Sequence, residues 1–258
     1  METAHEGLAQ IRNAQHNSAM RTFSIILPAT DETFSLAQTV EQVESSMPGS
    51  QYLVVTHPKL TTAECRSTIA AIQKKYHSLE AFDQHTSKIG GAIRDAIERA
   101  RGDYTVVMAA DLETDPAALP LMVGELDKGA EIVATTRWRG GARFQGYDPL
   151  KLVLNFFFQH FFRILYWTDL TDLTYAYRIY RTDILKSIVW NETGFTFLFE
   201  SILKPLRLGY RIVEVPAPWR ARQEGVSHNS FLQTFKYASL GLKLRFQSAK
   251  SMWYSRSQ

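Results

Sequence analysis

Short apolar runs and longer segments of helical periodicity alternate along the first half of the chain. The runs have the length of buried strands and lie at residues 23–27, 52–55, 79–82, 104–110 and 131–136. The segments have apolar positions at helical spacing and lie at residues 30–46, 62–76, 90–101 and 117–128. Pro28 is expected to end the first strand. The alternation predicts an α/β fold with a doubly wound, mostly parallel sheet and helices on both faces.

The second half of the chain departs from this alternation. Residues 137–148 are rich in glycine and arginine and are expected to form a mobile loop near a ligand crevice. Residues 151–167 are the most hydrophobic stretch, but polar side chains interrupt them and they are too short to span a bilayer comfortably. A helix packed in the core is favoured there over a helix that faces a membrane. Further helices are predicted at residues 194–208 and 230–246, with an edge strand at residues 210–215.

Composition limits the domain organisation. The chain has 258 residues, of which 45% are hydrophobic and 12% aromatic, enough for a substantial core. We expect a flexible arm at residues 1–20, a single domain at residues 21–246 and a tail at residues 247–258. The single cysteine excludes an internal disulfide, and the first residues lack the apolar core of a signal peptide, so a cytoplasmic location is the default expectation.

Charge and motif content narrow the possible partners. A formal net charge of +3 is compatible with phosphate-bearing ligands or an anionic membrane surface. No lysine-rich tract indicates a nucleic-acid partner. The seven histidines show no HExxH spacing, and neither CxxC nor GxSxG occurs, so zinc and serine-hydrolase chemistry have little support.

The most informative stretch follows the apolar run at residues 104–110. Acidic residues on alternate positions, Asp111, Glu113 and Asp115, come directly after it, and Pro116 prevents extension of the strand. A buried strand would thus deliver carboxylates to its C-terminal edge, where ligands bind in open α/β sheets. Oxygen-rich clusters there suit Mg²⁺ or Mn²⁺ that holds a diphosphate. The alternative is an acidic turn in which Asp115 caps the next helix.

Five segments carry a pattern of order and spacing: FSIILPATDE, KIGGAIRDAIERARGDYTVVMAADLETDP, GAEIVATTRWRGG, DLTDLTYAYRIYRTDIL and GFTFLFESILKPLRLGYRIVEVPAPWRARQEGVSH. In this order they resemble family 2 of the GT-A glycosyltransferases, and most closely its dolichyl- or polyprenyl-phosphate mannosyltransferase-like branch. The fourth is like the family's Asp-x-Thr-x-x-aromatic-Arg signature. The resemblance covers about residues 23–245, and the order and spacing of the segments make it specific. It implies the GT-A fold.

The resemblance also implies transfer of a sugar from a nucleoside-diphosphate sugar, with inversion at the anomeric carbon. It implies a Mg²⁺ or Mn²⁺ ion on Asp111 and Glu113, and catalytic roles for Asp172 and Arg178. The residues implied in binding the donor are Pro28, Thr30, Glu32, Thr56, Lys88, Asp111, Arg137, Arg222 and His228. Residues 137–148 and 222–228 are expected to close over the diphosphate, where arginines would contact phosphate oxygens.

The chain departs from the family pattern at three places. The first Asp of the family's Asp-x-Asp metal motif falls on Ala109, and Glu113 would have to supply the missing charge. Thr56 and His57 stand where the family has two acidic residues that recognise the nucleotide, which leaves the base undetermined. The lysine expected at the end of the last motif is His228, which is only partly charged at neutral pH.

The acceptor is left open by the sequence. The nearest branch of the resembled family favours a polyprenyl phosphate, as do the aromatic stretch at residues 151–167 and the basic terminal helix, which could rest on an anionic membrane surface. Such an acceptor is already anionic and needs no general base, and Asp172 would then orient the acceptor or Arg178. With a hydroxyl acceptor on a glycan or a small molecule, Asp172 would be the general base. A buried capping or arginine-pairing role is the third alternative for Asp172.

Two other classes of function are alternatives to transfer. One is a nucleotide-sugar-binding protein that has lost catalysis, which the substitutions at Ala109, Thr56 and His57 would explain. The other is a peripheral membrane module built on residues 151–167 and the basic terminal helix. Neither accounts for the ordered segments as well as a glycosyltransferase does.

Overall fold

The computed structural model describes residues 21–140, 144–145, 148–220 and 233–254. The strands are β1 Phe23–Ala29, β2 Gln51–Thr56, β3 Leu79–Asp83, β4 Tyr104–Val107, β5 Ile132–Thr136, β6 Phe144–Gln145, β7 Arg178–Arg181, β8 Ile212–Pro216 and β9 Trp219–Arg220. The α-helices are α1 Phe34–Ser46, α2 Ala63–Lys75, α3 Lys88–Arg99, α4 Leu119–Asp127, α5 Pro149–Tyr166, α6 Thr182–Ser187, α7 Thr196–Arg207 and α8 Gln233–Phe246. The predicted arm at residues 1–20 lies outside the described residues.

A seven-stranded sheet in the order β3-β2-β1-β4-β7-β5-β8 forms the centre of the fold. Its neighbours are parallel, except that β7 runs antiparallel between β4 and β5. The predicted mostly parallel sheet is therefore confirmed, and β8 lies at its edge as expected. The strand β7 was not predicted, because its sequence RIYR is too short to show a periodic pattern.

Helices cover both faces of the sheet, as the sequence predicts. Side chains of β1 alternate between the two faces: Ile25 and Leu27 pack in the cluster that includes α1, α2 and α4. Ile26 packs in the cluster that includes α3, α6 and α7. A third cluster joins α5, α7 and α8 beside the sheet. Each of the central strands is thus buried on both sides, which explains their continuous apolar sequence.

The expectation that Pro28 ends β1 is wrong. The strand continues to Ala29, and Pro28 pairs in register with Val55 of β2. On its other side β1 pairs with β4 only as far as Ile26, whose carbonyl accepts from the Met108 N–H at 3.4 Å. Backbone groups of alternate residues in a strand point to the same side, so the Pro28 nitrogen points toward β4, as the Ile26 carbonyl does. The strand β4 has already ended at that level. The missing N–H of Pro28 therefore costs no ladder hydrogen bond.

The expectation that α5 packs mainly in the core is also wrong. Gln159, Phe162 and Tyr166 are its buried residues. Its exposed large apolar side chains are Leu150, Val153, Leu154, Phe156, Phe157, Phe161 and Ile164. Helices α7 and α8 cover one side of α5, and Trp138 packs against Phe156 with 5.9 Å between the ring centroids. Among the described residues, no helix has the length and apolar character needed to cross a membrane.

Candidate active site

One edge of the sheet collects the residues predicted to bind the donor. The parallel strands all end there, and ligands of open α/β sheets bind outside such carboxyl ends. Glu32, Thr56, Asp111 and Arg137 lie at or just after the ends of β1, β2, β4 and β5. Because β7 is antiparallel, it begins at this edge, and the preceding residues 171–177 enter the same crevice.

Asp111 and Glu113 form a tight turn at the end of β4. Asp111 is buried, and its Oδ1 accepts a hydrogen bond from the Glu113 N–H at 3.0 Å. Leu112, between them, has a left-handed φ of 62°, which few residues other than glycine adopt and which bends the backbone sharply here. Glu32 on the neighbouring loop is also buried and accepts from the N–H groups of Thr30 and Asp31. The turn and the loop bring carboxylates from two strands together.

The acidic side chains at this edge repel one another. Burial raises the pKa of Glu32 above its ordinary value, and the nearby charges of Asp31 and Asp111 raise it further, against the lowering effect of the Thr30 N–H. A divalent cation would relieve that repulsion. No group of three or more His, Cys, Asp or Glu side chains in the described part of the chain could hold a metal by itself. Mg²⁺ is often bound through one or two carboxylates together with substrate phosphates, so Asp111 and Glu113 stay candidate ligands for such an ion.

Asp115 has the capping role that was its alternative. Its Oδ1 accepts from the Ala117 N–H at 3.0 Å, at the start of the 3₁₀ turn Pro116–Ala118 that leads into α4. The side chain therefore satisfies a backbone donor that would otherwise be unpaired. Of the three acidic residues after β4, Asp111 and Glu113 remain candidates for the metal.

Arg137 and Asp172 form a buried, bidentate ion pair. Arg137 Nε donates to Asp172 Oδ2 at 2.6 Å, and an Arg137 terminal nitrogen donates to Oδ1 at 2.8 Å. The Arg137 backbone N–H also donates to Oδ2 at 3.2 Å. The side chain of Asp172 is 0% exposed and that of Arg137 is 9% exposed. The arginine-pairing alternative for Asp172 is the one that this geometry supports.

Side chains from two other elements hold the segment of residues 171–175. Glu214 of β8 accepts from the N–H groups of Thr171 and Asp172, at 2.7 and 2.8 Å. Gln159 of α5 accepts from the Leu173 N–H at 2.9 Å and donates to the Thr174 hydroxyl at 2.9 Å. These partners fix the backbone that presents Asp172 to Arg137. Their sequence signal is weak, because each lies in a largely apolar stretch and no spacing pattern marks it.

Tyr175 connects the two halves of the crevice and was not singled out in the sequence. Its ring lies under the Arg137 guanidinium, with 4.7 Å from Cζ to the ring centroid, and its hydroxyl donates to the Glu113 carbonyl at 3.1 Å. Burial raises the pKa of Tyr175 well above its ordinary value, which keeps the phenol protonated as a donor. Tyr175 thus ties the acidic turn to the Arg137–Asp172 pair. Its position inside the signature segment was the available signal.

Arg178 is the first residue of β7, and its side chain makes its hydrogen bonds in the interior of the protein. Its side chain is fully buried between the sheet and α7, where it donates to the Leu198 carbonyl at 2.5 Å, the Ser201 hydroxyl at 2.9 Å and the Leu173 carbonyl at 2.9 Å. Every one of these acceptors is neutral. This position does not support the predicted contact between Arg178 and a phosphate, and instead supports a structural role in holding Leu173.

The remaining residues that were predicted to bind the sugar donor differ in solvent accessibility. Pro28 and Thr30 are half-buried at the end of β1, and Lys88 is exposed at the start of α3 with a left-handed φ of 68°. Thr56 is buried, and its hydroxyl donates to Asp83 Oδ1 at 2.7 Å, so it has no proton to offer a ligand in this conformation. Arg222 and His228, with the predicted closing segment 222–228, lie outside the described residues, as do residues 141–143 and 146–147 of the other loop.

Replacing Glu32 with glutamine should raise the melting temperature at neutral pH. The raised pKa means that folding favours protonated Glu32, so its charged form costs stability at higher pH. In the unmodified protein this cost disappears as the pH falls through the raised pKa toward the ordinary value of 4.5, and the advantage of the variant should shrink over that range. Thermal unfolding from neutral pH to about pH 4 measures it. Glu41→Gln, at an exposed position on α1, is the control. A Glu32→Gln variant less stable than the unmodified protein at neutral pH would contradict this reading.

Comparison with solved structures identifies the fold. Glucosyl-3-phosphoglycerate synthase from Mycobacterium tuberculosis, crystallised with Mn²⁺, UDP-glucose and phosphoglyceric acid, matches with a TM-score of 0.68. The match covers 91% of this chain and 83% of that chain at 16% sequence identity. At this identity the likeness concerns the fold alone. The sheet and its helices therefore form a GT-A fold, as the sequence resemblance implies.

Comparison of sequences places the chain in a family. An undecaprenyl-phosphate mannosyltransferase of Micrococcus luteus is 31% identical over 221 residues, which are 82% of this chain and 88% of that protein. A polyprenol monophosphomannose synthase of Mycolicibacterium smegmatis is 26% identical over 242 residues, which are 88% of this chain and 90% of that protein. Residues 24–189 match the model of glycosyl transferase family 2. This match spans more than half of the chain and includes the acidic turn, Arg137 and Asp172, and the chain accordingly belongs to glycosyl transferase family 2.

Proposed function

We propose that this glycosyltransferase moves a sugar from a nucleoside-diphosphate sugar to a polyprenyl phosphate at a membrane surface, with inversion. An oxygen of the acceptor phosphate would attack the anomeric carbon while the bond from that carbon to the diphosphate breaks. The named activities of the Micrococcus and Mycolicibacterium relatives support this acceptor class. The observation that carries the proposal is the burial of Asp172 and its hydrogen bonding within the protein.

In this conformation, hydrogen bonds within the protein use all the lone-pair sites of Asp172, so none is left to take a proton from an acceptor. A carboxylate offers about four lone-pair sites. Arg137 Nε and the Arg137 backbone N–H use Oδ2, and an Arg137 terminal nitrogen and the Tyr175 N–H use Oδ1. The side chain is also fully buried, beyond the reach of an acceptor. A hydroxyl acceptor would need a base to remove its proton, whereas a phosphate acceptor is already anionic and needs none.

The donor diphosphate would lie between the acidic turn and Arg137. Asp111 and Glu113 would hold Mg²⁺ or Mn²⁺, which when bound supplies positive charge to the leaving diphosphate. Arg137 is held by Asp172 and stacked on Tyr175, so its orientation is set before the ligand arrives. Because Asp172 already holds the guanidinium in place, the reaction does not have to meet the entropy cost of ordering it.

The exposed apolar side of α5 supports a membrane-bound acceptor. Helix α8 packs on α5 through the Tyr166 hydroxyl, which donates to the Gly241 carbonyl at 2.7 Å, and through Arg245 Nε, which donates to the Leu165 carbonyl at 2.9 Å. Helix α8 adds its own exposed Phe235 and Phe246. Exposed lysines of the two helices are Lys151, Lys236 and Lys243. Apolar side chains flanked by lysines suit the boundary between acyl chains and anionic headgroups.

Replacing Phe157 and Phe161 together with glutamate should weaken binding to anionic vesicles by at least about tenfold, because the transfer of two aromatic side chains from water into the membrane would contribute a few kcal/mol. The two phenylalanines are 65% and 52% exposed, so the fold should tolerate the change. Co-sedimentation with phosphatidylglycerol vesicles measures the effect, and Leu121→Glu, at a 48% exposed position on α4, is the control. Equal vesicle binding of the double variant and the unmodified protein would remove α5 from the membrane contact.

A transfer assay tests the proposed activity itself. Radiolabelled GDP- and UDP-sugars are incubated with Mn²⁺, detergent-dispersed polyprenyl phosphate and the protein. We expect label in the organic phase, and less of it when the metal is chelated. Label that appears only in a water-soluble product would contradict the lipid acceptor, and the absence of any transfer or hydrolysis would favour the binding-protein alternative.

A further inference from the structure

The backbone around Arg137 is connected to a carboxylate on a distant strand. Glu214 lies on β8, which pairs with β5 so that Glu214 faces Ala134 in register. From there the Glu214 carboxylate reaches the segment before β7, where Oε2 accepts from the Thr171 hydroxyl at 2.8 Å. The Thr171 hydroxyl is also 2.7 Å from the Thr136 hydroxyl, and both side chains are buried.

The direction of this hydrogen-bond chain follows from counting protons. A hydroxyl has one proton. The Thr171 proton goes to Glu214, so Thr171 must accept from the Thr136 hydroxyl. The Thr136 oxygen in turn accepts from the Trp138 N–H at 3.1 Å. The bonds thus run in one direction from Trp138 through Thr136 and Thr171 to Glu214, and the carboxylate at the end polarises every bond in the row.

The row of hydrogen bonds fixes the backbone next to Arg137, and the ion pair with Asp172 fixes its side chain. Its own N–H donates to Asp172, and the next N–H along the backbone, that of Trp138, donates to Thr136. Glu214 takes part in both the row of hydrogen bonds and the support of the ion pair, because it also accepts from the Asp172 N–H at 2.8 Å. A single carboxylate therefore fixes the residue before Arg137, the residue after it, and the aspartate that pairs with its side chain.

We propose that Glu214 is a positioning residue for Arg137, acting through Thr171, Thr136 and Asp172. This inference rests on the proposed role of Arg137 in binding the donor diphosphate. Loss of these side-chain hydrogen bonds would leave the fold of the sheet intact, since the β5–β8 ladder is formed by backbone groups. It would let the Arg137 guanidinium move away from the phosphate oxygens, and a small displacement is enough to reduce the contribution of a charged hydrogen bond.

The test is a double-mutant cycle between Thr171 and Arg137. Thr171→Val removes the hydroxyl that connects Thr136 to Glu214, without a change of charge. Thr171→Ser keeps this hydroxyl and is the matched control. Affinity for GDP or UDP, whichever binds more tightly with Mn²⁺, is measured by calorimetry in the natural and the Arg137→Lys backgrounds. We expect Thr171→Val to weaken binding roughly three- to tenfold, Thr171→Ser to bind like the unmodified protein, and the Val effect to fall below about twofold in the Arg137→Lys background.

The outcomes separate this inference from the function on which it rests. Equal weakening by Thr171→Val in both backgrounds would show that the chain does not act through Arg137 and would overturn the inference. Unchanged affinity in Arg137→Lys alone would instead contradict the donor role of Arg137. Glu214→Gln is the second variant, because its amide NH2 replaces one of the two oxygens that accept from Thr171 and Asp172, and it should give a loss at least as large as that of Thr171→Val.

Discussion

Replacing Asp111 with asparagine should abolish the Mn²⁺ dependence of nucleoside diphosphate binding. Asp111 is buried at the end of β4 and is the acidic residue that matches the metal motif of the family. Asparagine keeps the size of the side chain and can still accept from the Glu113 N–H, but it carries no charge for the cation. We expect the affinity for GDP or UDP in the presence of Mn²⁺ to fall by more than about 100-fold, since even residues one shell further out contribute 10- to 100-fold.

Asp115→Ala is the matched control for this experiment. Asp115 caps the turn before α4, so its loss should lower stability by about 1 kcal/mol while the response to Mn²⁺ remains. Calorimetric titration with and without Mn²⁺ distinguishes the two variants. A Mn²⁺-dependent affinity of Asp111→Asn equal to that of the unmodified protein would place the metal on other residues.

Replacing Arg178 with lysine should destabilise the fold rather than weaken a phosphate contact. Lysine keeps the positive charge, but it cannot reach the acceptors of Leu173, Leu198 and Ser201 together. Unpaired buried carbonyls and a strongly hydrated ammonium group should cost about 3 kcal/mol, which corresponds to a melting temperature lower by roughly 6–12 °C.

The control for this prediction is Arg181→Lys on the same strand. Arg181 pairs with Asp183 and Glu131 at the surface, and its replacement should change stability by less than about 0.5 kcal/mol. Thermal unfolding of both variants gives the comparison. An Arg178→Lys variant that melts like the unmodified protein but fails in donor or acceptor binding would restore the phosphate role predicted from the signature motif.

The sequence predicts the sheet well, because its strands are buried on both faces. Residues 23–27, 52–55 and 131–136 are mostly apolar for that reason, and strands form in all three places. The pattern fails where tertiary context decides the structure. The strand β7 contains two arginines, of which Arg178 is buried by acceptors on α7 that are distant in sequence. The helix α5 has the composition of a core helix, but many of its large apolar side chains are exposed.

The site is predictable to the extent that it depends on local order. Asp111 and Glu113 follow a strand directly, and Arg137 follows another, so strand polarity alone brings them to one edge. The partners that fix their geometry are not local. Asp172 binds an arginine 35 positions earlier in the chain, and Glu214 binds the Asp172 N–H from 42 positions later. No spacing pattern indicates such pairs, and they become visible only in the folded chain.

The most direct test of the proposed reaction compares polyprenyl phosphate with the polyprenol of the same chain length as acceptors. The two differ only in the phosphate, and the buried, fully bonded Asp172 offers no base for the alcohol. With the preferred nucleotide sugar and Mn²⁺, mass spectrometry of the lipid fraction should show polyprenyl phosphate with one added sugar and no glycosylated polyprenol. Glycosylated polyprenol, formed as readily as the phosphate product, would contradict the account.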